Sequence, residues 1–486
     1  MYTLVRYSEI GLKGDYARKR MENLLKRNIA KSLESNGCGA AIHSERGRIF
    51  VESDGPENKV NFSLSHTFGV KSYSHVNRFE FTNLEDLTGK VSSTYSSIVN
   101  GKKFAIRARC VGIHTFGSRE LSIKAGEELF PFSSGVDLEK PDVEIYIEVR
   151  DGVAYTFTEI IPGPGGLPLG SESRMVALVS GGIDSPVASW FMMKRGSPVD
   201  FVFLALAHPV DTVDFLRTIK SLVKEWSYGT DPLIHIVDGT RVVTELAYGT
   251  NYRVPGLTYK RILYRIAESI AKEVGAKGIV TGESLGQVSS QTPDNLLSIN
   301  ATIDFPIYRP LIGFDKDETT SLARKIGTYV EDTHGEFCAL FSSKPVTTSK
   351  PVDINGDMDR FGDLSAVIHS EKIYHGSQID DLLTLFKREE FNIPEPRPDS
   401  IIVDLRSIEQ FKGWHFPGSF NVPADKIGDF IQEHGQNRNY VFYCQKGLQS
   451  AFIASKLRSE GFNSNYIAIN KLMKTQDVKH AEQKLG

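Results

Sequence analysis

The residues with the clearest chemical potential form the run Leu-Val-Ser-Gly-Gly-Ile-Asp-Ser-Pro at positions 178–186. The short apolar segment Val176–Val179 predicts a buried strand that enters this run. A helix is predicted to follow at once, because Pro186 suits a first helical turn. Gly181 and Gly182 permit a sharp turn that brings backbone N–H groups close to an anion, and the helix N-terminus adds positive potential. The run therefore predicts a phosphate-binding loop.

The side chains of this loop add to the prediction. Ser180 and Ser185 can donate hydroxyl hydrogen bonds to phosphate, and the Asp184 carboxylate can hold Mg²⁺ against it. No lysine follows the glycines, so the run is not a GxxxxGK[ST] loop. A plain turn is the alternative, but the complete SGGIDS string between a strand and a helix favours a nucleotide site. It resembles the PP-loop of ATP pyrophosphatases, enzymes that adenylate a substrate and release pyrophosphate. That resemblance implies ATP and Mg²⁺ as ligands.

A second glycine-containing segment, Thr-Gly-Glu-Ser-Leu-Gly-Gln at 281–287, also follows a predicted strand. In a doubly wound sheet, loops at the carboxyl ends of the strands converge on one crevice. We therefore expect Gly282 to let the backbone approach the nucleotide and Gln291 to hydrogen-bond it. Lys260, just before a helix predicted from Arg261 to Val274, can neutralise phosphate charge. A solvated helix start is the alternative for Lys260.

Cys444 lies in a different chemical setting, between a predicted apolar strand and a helix predicted from Ser450 to Glu460. A thiolate at a helix N-terminus and near Lys446 is stabilised and nucleophilic. A buried, inert cysteine is the alternative. Upstream, VDLR at 403–406 and WHFPGSFNVP at 414–423 resemble the two signatures that precede the active loop of rhodanese domains. Rhodanese cysteines carry sulfur as a persulfide.

The four cysteines include no CxxC pair, which argues against a disulfide framework and against a cysteine-based metal site. We therefore assign no metal ligands among them. Cys338 follows the predicted end of the SGGIDS-containing sheet, and its surroundings alone favour a structural role. Cys38 and Cys110 are interpreted as structural.

The composition excludes several classes of protein. The chain has 486 residues with 24% charged and 40% hydrophobic side chains, typical of folded domains rather than a disordered chain. No apolar run approaches the roughly 18 residues of a membrane helix, and the N-terminus has no signal-peptide core. The net charge of −3 excludes a protein that is basic throughout. The segment 13–31 is nevertheless rich in Lys and Arg, which indicates a solvated helix face or a nucleic-acid contact.

The periodicity of the N-terminal part predicts two small α+β units, of which the first contains a helix from about Asp15 to Glu34. The Gly- and Pro-rich segment 162–173 is predicted to be an interdomain linker. Strands and helices then alternate over 174–350, which predicts a parallel sheet with helices on both faces. A small α/β domain is predicted after residue 395.

This order of units resembles the ThiI family of tRNA 4-thiouridine synthetases, in its long form with a C-terminal rhodanese domain. The resemblance covers essentially the whole chain. It is carried by RYSEIGLKG (6–14), SREL (118–121), SGGIDSPVA (180–188), TGESLGQVSSQT (281–292), RPLIG (309–313) and the Cys444 loop. It implies a multidomain α/β and α+β fold. The implied domains are a ferredoxin-like domain (1–58), a tRNA-binding THUMP domain (59–165), a doubly wound PP-loop ATP pyrophosphatase domain (174–350) and a small α/β rhodanese domain (395–486).

The family also implies an activity and its residues. Its members are cytoplasmic enzymes that thiolate uridine 8 of tRNA and deliver sulfur for the thiazole of thiamine. The family's persulfide cysteine matches Cys444 and its resolving cysteine matches Cys338, which replaces the structural interpretation of that residue. Its ATP contacts match Leu178, Val179, Lys260, Gly282 and Gln291. The implied partners are tRNA, a cysteine desulfurase as sulfur donor, a thiol reductant and a sulfur-carrier protein of the thiazole pathway.

Several mechanisms and functions remain open at this point. The Cys444 persulfide can attack an adenylated uridine directly, or Cys338 can reduce it and release free sulfide. A metabolic PP-loop ligase is one rival, although it needs no RNA-type units and no sulfurtransferase tail. A non-catalytic tRNA-binding sulfur carrier is another, although Ser180, Asp184 and Ser185 are intact. A third is a carrier dedicated to thiazole synthesis.

Overall fold

The structure is a computed structural model that describes residues 1–473 apart from positions 46, 113, 207–209, 249–250, 332–345, 389–392, 394, 446, 468 and 470–471. The chain folds into two compact units. The first comprises Met1–Ser171 and Lys194–Gly196, and the second comprises Glu172–Met193 and Ser197–Gly486. Among the described residues, no helix is both long and apolar enough to span a membrane.

The first sheet belongs to the N-terminal part of the first unit. Its elements are β1 (Tyr2–Arg6), α1 (Asp15–Ser35), β2 (Ala40–Glu45), β3 (Arg48–Ser53), α2 (Glu57–Ser65) and β4 (Ser72–His75). The strands pair antiparallel in the order β4-β1-β3-β2, the arrangement of a ferredoxin-like βαββαβ unit. Strand alternation directs Val5 and Val51 towards the helices, whereas Leu4 and Phe50 lie on the opposite face and pack with Tyr155.

Helix α1 carries the lysine- and arginine-rich segment that the sequence singles out. Its residues Met21, Leu25, Ile29 and Leu33 are buried at helical spacing, as the periodicity predicts. The opposite side of the helix and the turn before it keep their basic side chains in solvent. Exposed basic residues in this segment are Lys13, Lys19, Arg20, Arg27 and Lys31.

The second sheet completes the first unit. Its elements are β5 (Asn77–Glu80), α3 (Leu84–Val99), β6 (Lys103–Val111), α4 (Ser118–Leu129), β7 (Gly135–Val136), β8 (Val143–Arg150) and β9 (Val153–Phe157). The strand order is β5-β9-β8-β6-β7, with β6 parallel to β8. Ile106, Ile145 and Ile147 pack with the apolar faces of α3 and α4. Alternation therefore places Arg109 and Glu148 on the other face of this sheet.

The segment 162–173 differs from a free linker. A short strand, β10 (Ile161–Pro162), pairs with β4 at the edge of the first sheet. Leu167 and Leu169 are then buried in the first unit, and Asn28 donates its side-chain amide to the Leu169 carbonyl at 2.9 Å. The glycines and prolines predict an irregular path correctly, but the two leucines attach that path to the ferredoxin-like core.

A mostly parallel sheet dominates the second unit. Its elements are β11 (Met175–Leu178), α5 (Asp184–Lys194), β12 (Val199–Ala205), α6 (Val210–Glu225), β13 (Leu233–Asp238), α7 (Thr240–Tyr248), α8 (Pro255–Glu273), β14 (Ile279–Val280), α9 (Pro293–Asn300), β15 (Ile307–Tyr308), α10 (Lys316–Lys325), α11 (Pro351–Phe361), α12 (Ser365–Ile368), β16 (Lys372–His375) and α13 (Ile379–Arg388). The strand order is β15-β14-β11-β12-β13-β16. β12 is buried along its whole length, as expected for a strand covered on both faces.

Helices cover both faces of this sheet, as alternation predicts. Val202 and Leu204 pack in one cluster with Ile266 of α8, whereas Phe203 stacks on Phe215 of α6 with ring centroids 4.5 Å apart. One edge differs from the all-parallel prediction, because β16 pairs antiparallel with β13. The sheet therefore continues past residue 350.

The remaining part of the second unit forms a small parallel sheet. Its elements are β17 (Ile401–Asp404), α14 (Ile408–Gly413), β18 (Phe420–Asn421), α15 (Ile427–His434), β19 (Tyr440–Tyr443), α16 (Leu448–Ser459) and β20 (Ser464–Tyr466). The strands pair in the order β18-β17-β19-β20. The central strands β17 and β19 are almost wholly buried, and Cys444 follows β19 directly.

Candidate functional site

A cleft opens at the carboxyl ends of the parallel strands in the second unit, where β11 and β14 end side by side. Its lining combines apolar side chains with a few polar groups, the composition typical of small-molecule sites. The cleft brings together most of the residues that the two glycine segments predict. They are Leu178, Val179, Ser180, Gly181, Asp184, Ser185, Lys260, Gly282 and Gln291. Gly182 lies in the same loop, where its N–H donates to Ser180 Oγ at 3.3 Å.

The loop between β11 and α5 is held in a compact turn by its own serines. The Ser180 N–H donates to Ser185 Oγ at 3.1 Å, which links the start of the loop to the first turn of α5. A Cβ atom on Gly282 would lie 2.5 Å from the Ser185 nitrogen and 2.7 Å from the Asp184 carbonyl carbon. Both are backbone atoms, so no side-chain movement relieves such a contact. Glycine at 282 thus lets the loop after β14 close against the SGGIDS loop.

Asp184 begins α5 and faces the cleft with only 8% of its surface exposed. The Lys316 ammonium donates to both of its carboxylate oxygens, at 2.9 and 3.0 Å. The Gln287 amide donates to Asp184 Oδ2 at 2.9 Å. Lys316 starts α10, whose Asp315–Glu318 capping box fixes the helix start and so the direction of the lysine. A carboxylate, a lysine and a helix N-terminus beside a glycine loop form a fitting donor set for a phosphate and a divalent cation.

Lys260 lies within a helix rather than before one, which corrects the sequence-based placement. Helix α8 begins at Pro255, so Lys260 is in its second turn. The earlier start has a long-range cause, because the carboxylate of Asp357 accepts hydrogen bonds from the backbone N–H groups of Arg253 and Val254. Asp357 also accepts from the Thr258 hydroxyl at 3.0 Å. Asp357 thereby accepts hydrogen bonds from backbone N–H groups at the start of the helix, where no neighbouring side chain caps them.

Glu283 is a buried carboxylate beside the cleft that the sequence analysis did not single out. The Tyr264 hydroxyl lies 2.6 and 2.7 Å from its two oxygens, and Arg309 donates to Glu283 Oε2 at 2.7 Å. Burial raises the pKa of Glu283, but the charges of Lys260 and Arg309 outweigh burial and hold that pKa below its usual value. The ionised Glu283 therefore connects α8, which carries Tyr264 and Lys260, to Arg309 directly after β15.

The sequence motifs also do not identify the residues that form the apolar wall of the cleft. It consists of side chains from the inner strand β12 and from α8, such as Phe203, Leu204 and Leu263. An apolar wall with a polar phosphate-type loop at one end is the usual environment of a purine nucleotide. The sequence gives no signal for this wall, because every residue of Val199–Ala205 is buried and no alternation marks which of them face the cleft.

Cys444 lies at a second site, in the small parallel sheet. It is 5% exposed, and its Sγ is 3.5 Å from Ser450 Oγ. Ser450 in turn donates to the Gly447 carbonyl at 3.0 Å, and Gly447 has a left-handed φ of 79° at the start of α16. The sulfur is thus followed by a tight turn into a helix N-terminus, the arrangement that stabilises a sulfur anion.

The two upstream rhodanese-like signatures converge on this loop. Asp404 accepts hydrogen bonds from the Arg406 guanidinium at 2.7 to 3.2 Å, and Arg406 also donates to the Trp414 carbonyl at 2.6 Å. Arg406 lies over the ring of Tyr443, which directly precedes Cys444, at 5.4 Å. Strands β17 and β19 pair residue by residue, with Asp404 beside Tyr443. Cys338 lies outside the described residues.

The chain combines a PP-loop cleft in a doubly wound sheet with a cysteine loop in a rhodanese-like sheet. Two small α+β units, the first of them ferredoxin-like, precede these sheets. This combination defines a class of sulfurtransferases with an ATP-pyrophosphatase fold. Four known domain families match successive segments of the chain. The ThiI ferredoxin-like domain matches residues 2–74, the THUMP domain 81–159, the thiamine biosynthesis protein (ThiI) family 170–361 and the rhodanese-like domain 389–471.

Relatives that match along nearly the whole chain identify the family within this class. The chain is 44% identical over 481 residues to a tRNA sulfurtransferase of Thermoplasma acidophilum, covering 98% of this chain and 97% of the relative. It is 39% identical to a tRNA sulfurtransferase of Pyrobaculum aerophilum, with 95% of each chain covered. The crystal structure of a 4-thiouridine synthetase–RNA complex with bound ATP matches with a TM-score of 0.67 and 30% identity, over 77% of this chain and 99% of that one.

The chain belongs to the tRNA sulfurtransferase family, ThiI. These comparisons confirm the family and the fold class that the sequence motifs indicate.

Proposed function

We propose that this protein thiolates uridine 8 of tRNA to 4-thiouridine, in an ATP-dependent reaction that passes through an adenylated uridine. The observation that carries the proposal is the convergence of the SGGIDS loop, Lys260, Gly282 and Gln291 on one cleft in a chain that also holds the Cys444 loop. The solved relative contains both RNA and ATP, which supports the same pairing of ligands here. ATP supplies the adenylyl group that turns the uridine O4 into a leaving group.

Each group of cleft residues has a separate role in the adenylation step. Backbone N–H groups of Gly181 and Gly182 and the N-terminus of α5 hold the phosphates. Lys260 would offset their negative charge, and Asp184 would hold Mg²⁺ against them. The backbone at Leu178 and Val179 would lie beside the adenine, Gly282 would let the backbone approach the nucleotide, and Gln291 would hydrogen-bond it. Ser180 and Ser185 keep the loop in its turn, as their mutual hydrogen bond indicates. Donors fixed in this way stabilise charge that develops on the departing pyrophosphate.

Sulfur arrives from the second site. A cysteine desulfurase transfers a sulfur atom to Cys444, and the resulting persulfide attacks C4 of the activated uridine as AMP leaves. The Cys338 thiolate then attacks Cys444 Sγ, which releases the thiolated base and leaves a Cys338–Cys444 disulfide. A thiol reductant returns both cysteines to the reduced state.

Two further roles belong to the proposal. The ferredoxin-like and THUMP domains bind the tRNA, and the exposed basic residues of α1 contribute to that contact. The Cys444 persulfide also supplies sulfur to a carrier protein for the thiazole of thiamine. The enzyme acts in the cytoplasm, where its tRNA substrate is found. We propose that the ferredoxin-like domain extends beyond the expected 1–58 to β4, which completes its sheet, so that the THUMP domain takes the rest of 59–165. We propose that the PP-loop domain extends beyond the expected 174–350 through α11, α12, β16 and α13, and that the rhodanese domain lies within 395–486.

A pyrophosphate-exchange assay tests the adenylation step and separates it from the rival ligase function. We expect the purified protein to exchange labelled pyrophosphate into ATP only when unmodified tRNA is present, because the uridine O4 is the group that accepts the adenylyl moiety. Exchange stimulated by a small carboxylic acid instead of tRNA would contradict the proposal. A tRNA that carries cytidine at position 8 is the matched control and should give no exchange.

A further inference from the structure

A ring of hydrogen bonds among largely buried side chains lies along one wall of the nucleotide cleft. Tyr264 of α8 and Glu283, which follows β14, are both buried and both line the cleft. Arg309, directly after β15, donates to Glu283 Oε2 at 2.7 Å and to the Tyr264 hydroxyl at 3.1 Å. Arg309 also donates to Oδ1 of Asn300, at the end of α9, at 2.9 Å. Because Tyr264 contacts Glu283 in turn, the ring joins four segments of the chain.

This ring requires an ionised carboxylate at position 283. Burial raises the pKa of Tyr264 well above its usual value, and the Glu283 charge raises it further, so the hydroxyl stays neutral and donates. The Thr281 hydroxyl donates to Glu283 Oε2 at 3.0 Å, the same oxygen that accepts from Arg309. Two carboxylate oxygens accept all of these bonds, whereas a glutamine amide offers one oxygen and turns donors towards its neighbours. The ring therefore depends on the charge of Glu283 and not only on its shape.

Tyr264 connects the ring to Lys260. The two residues are four positions apart on α8, so they lie on the same face of the helix, and both line the cleft. Burial raises the pKa of Glu283, and the charge of Lys260 is the largest effect that opposes burial. Glu283 thus acts on Lys260 in two ways, because it fixes the part of α8 that carries the lysine and it attracts the ammonium group.

Glu283 also anchors the backbone of its neighbour Gly282. The hydrogen bond between Thr281 and the Glu283 carboxylate links the residues on either side of Gly282 and restrains the loop after β14. In that loop, Gly282 closes against the Ser185 backbone with no room for a Cβ atom. Two of the expected ATP contacts, Lys260 and Gly282, therefore share one buried anchor.

We propose that Glu283 is a positioning residue for ATP. Through Tyr264 it holds Lys260 at the cleft, and through the loop after β14 it holds Gly282 there. Glu283 itself does not touch the nucleotide, because its carboxylate is occupied by Tyr264, Thr281 and Arg309. This inference rests on the proposed ATP-dependent function and adds a residue that sets the affinity for ATP before any chemical step.

Equilibrium binding of ATP to the full-length protein, measured without tRNA, tests this role. We expect Glu283→Gln to raise the Kd for ATP about 10-fold, the order of effect of losing hydrogen bonds to a charged group. Tyr264→Phe keeps that charge and removes only one hydroxyl, so we expect a smaller increase of about 3-fold. Glu268→Gln is the matched control and should bind ATP like the wild type. Glu268 is also a buried carboxylate, but it pairs with Lys272 at 2.8 Å on α8, outside the cleft.

A double-mutant cycle with Lys260→Met separates positioning from a loss of stability. If Glu283 acts through Lys260, the variant with both changes should raise the Kd clearly less than the product of the two single increases. A full product, or an unchanged Kd in a folded Glu283→Gln, would overturn the inference. Thermal unfolding identifies a variant that folds poorly, and Tyr264→Phe then takes its place in the cycle. Pyrophosphate exchange by the wild type tests the proposed function separately, since these binding measurements need no tRNA.

Discussion

An Asp184→Asn variant should lose tRNA thiolation, by at least about 10²- to 10³-fold, and still accept sulfur on Cys444. The Asp184 carboxylate lies at the start of α5, and Lys316 and Gln287 fix both of its oxygens. A neutral amide of the same size keeps the shape of the loop, but it does not hold a divalent cation against the phosphates. Stabilisation of developing charge by one fixed group contributes effects of this size.

The measurement is the yield of 4-thiouridine in digested tRNA, with persulfide formation followed in parallel by mass spectrometry of the protein. Asp380→Asn is the matched control, because Asp380 also pairs with lysines, Lys220 at 3.0 Å and Lys224 at 2.8 Å, but on the surface and outside the cleft. The control should thiolate tRNA like the wild type. Wild-type thiolation by Asp184→Asn would show that the SGGIDS loop is not the activation site.

A Cys444→Ala variant should take up no sulfur from a desulfurase and form no 4-thiouridine. The Cys444 sulfur precedes the turn at Gly447 and the N-terminus of α16, and we propose that this helix N-terminus holds the persulfide sulfur. Cys110→Ala is the matched control. Burial raises the pKa of the Cys110 thiol, and the residue lies on β6 of the first unit, outside the sulfur loop.

A variant of the second cysteine, Cys338, distinguishes a two-cysteine mechanism from one in which Cys444 carries sulfur alone. Cys338→Ala should still load sulfur on Cys444 but fail over many turnovers, because no thiol then resolves the sulfur bridge. Wild-type enzyme without reductant should accumulate a Cys338–Cys444 disulfide, detected by peptide mapping. A normal multiple-turnover rate for Cys338→Ala, together with no cross-link in the wild type, would leave Cys444 as a lone carrier.

The parts of the site that sequence reasoning found are those encoded locally. Ser180 to Asp184 form a loop because a buried strand, two glycines and a helix start follow one another within a few residues. Gly282 was found for the same reason, and the structure adds the physical need for glycine there, the close approach to the Ser185 backbone. Local chemistry of this kind is readable without knowledge of the fold.

The parts that were missed depend on contacts between distant segments. Lys316 follows Asp184 by 132 positions, and the sequence near either residue does not indicate that the two form an ion pair. Lys260 was placed before its helix because the true cap is Asp357, about a hundred residues downstream. The edge strand Lys372–His375 has only four residues and pairs with β13, which lies far upstream in the chain, so nothing in the local sequence assigns it to this sheet. In each case the tertiary fold supplies the partner that the local sequence lacks.

A reconstituted thiolation reaction with a defined product tests directly whether this protein thiolates uridine 8 of tRNA. Purified protein is incubated with unmodified tRNA, ATP, Mg²⁺, a reductant, cysteine and a cysteine desulfurase, and the digested tRNA is analysed by mass spectrometry. We expect 4-thiouridine at position 8, formed only when ATP is present and absent when position 8 is cytidine. A persulfide on Cys444 without any thiolated tRNA, or thiolation that proceeds equally without ATP, would contradict this expectation.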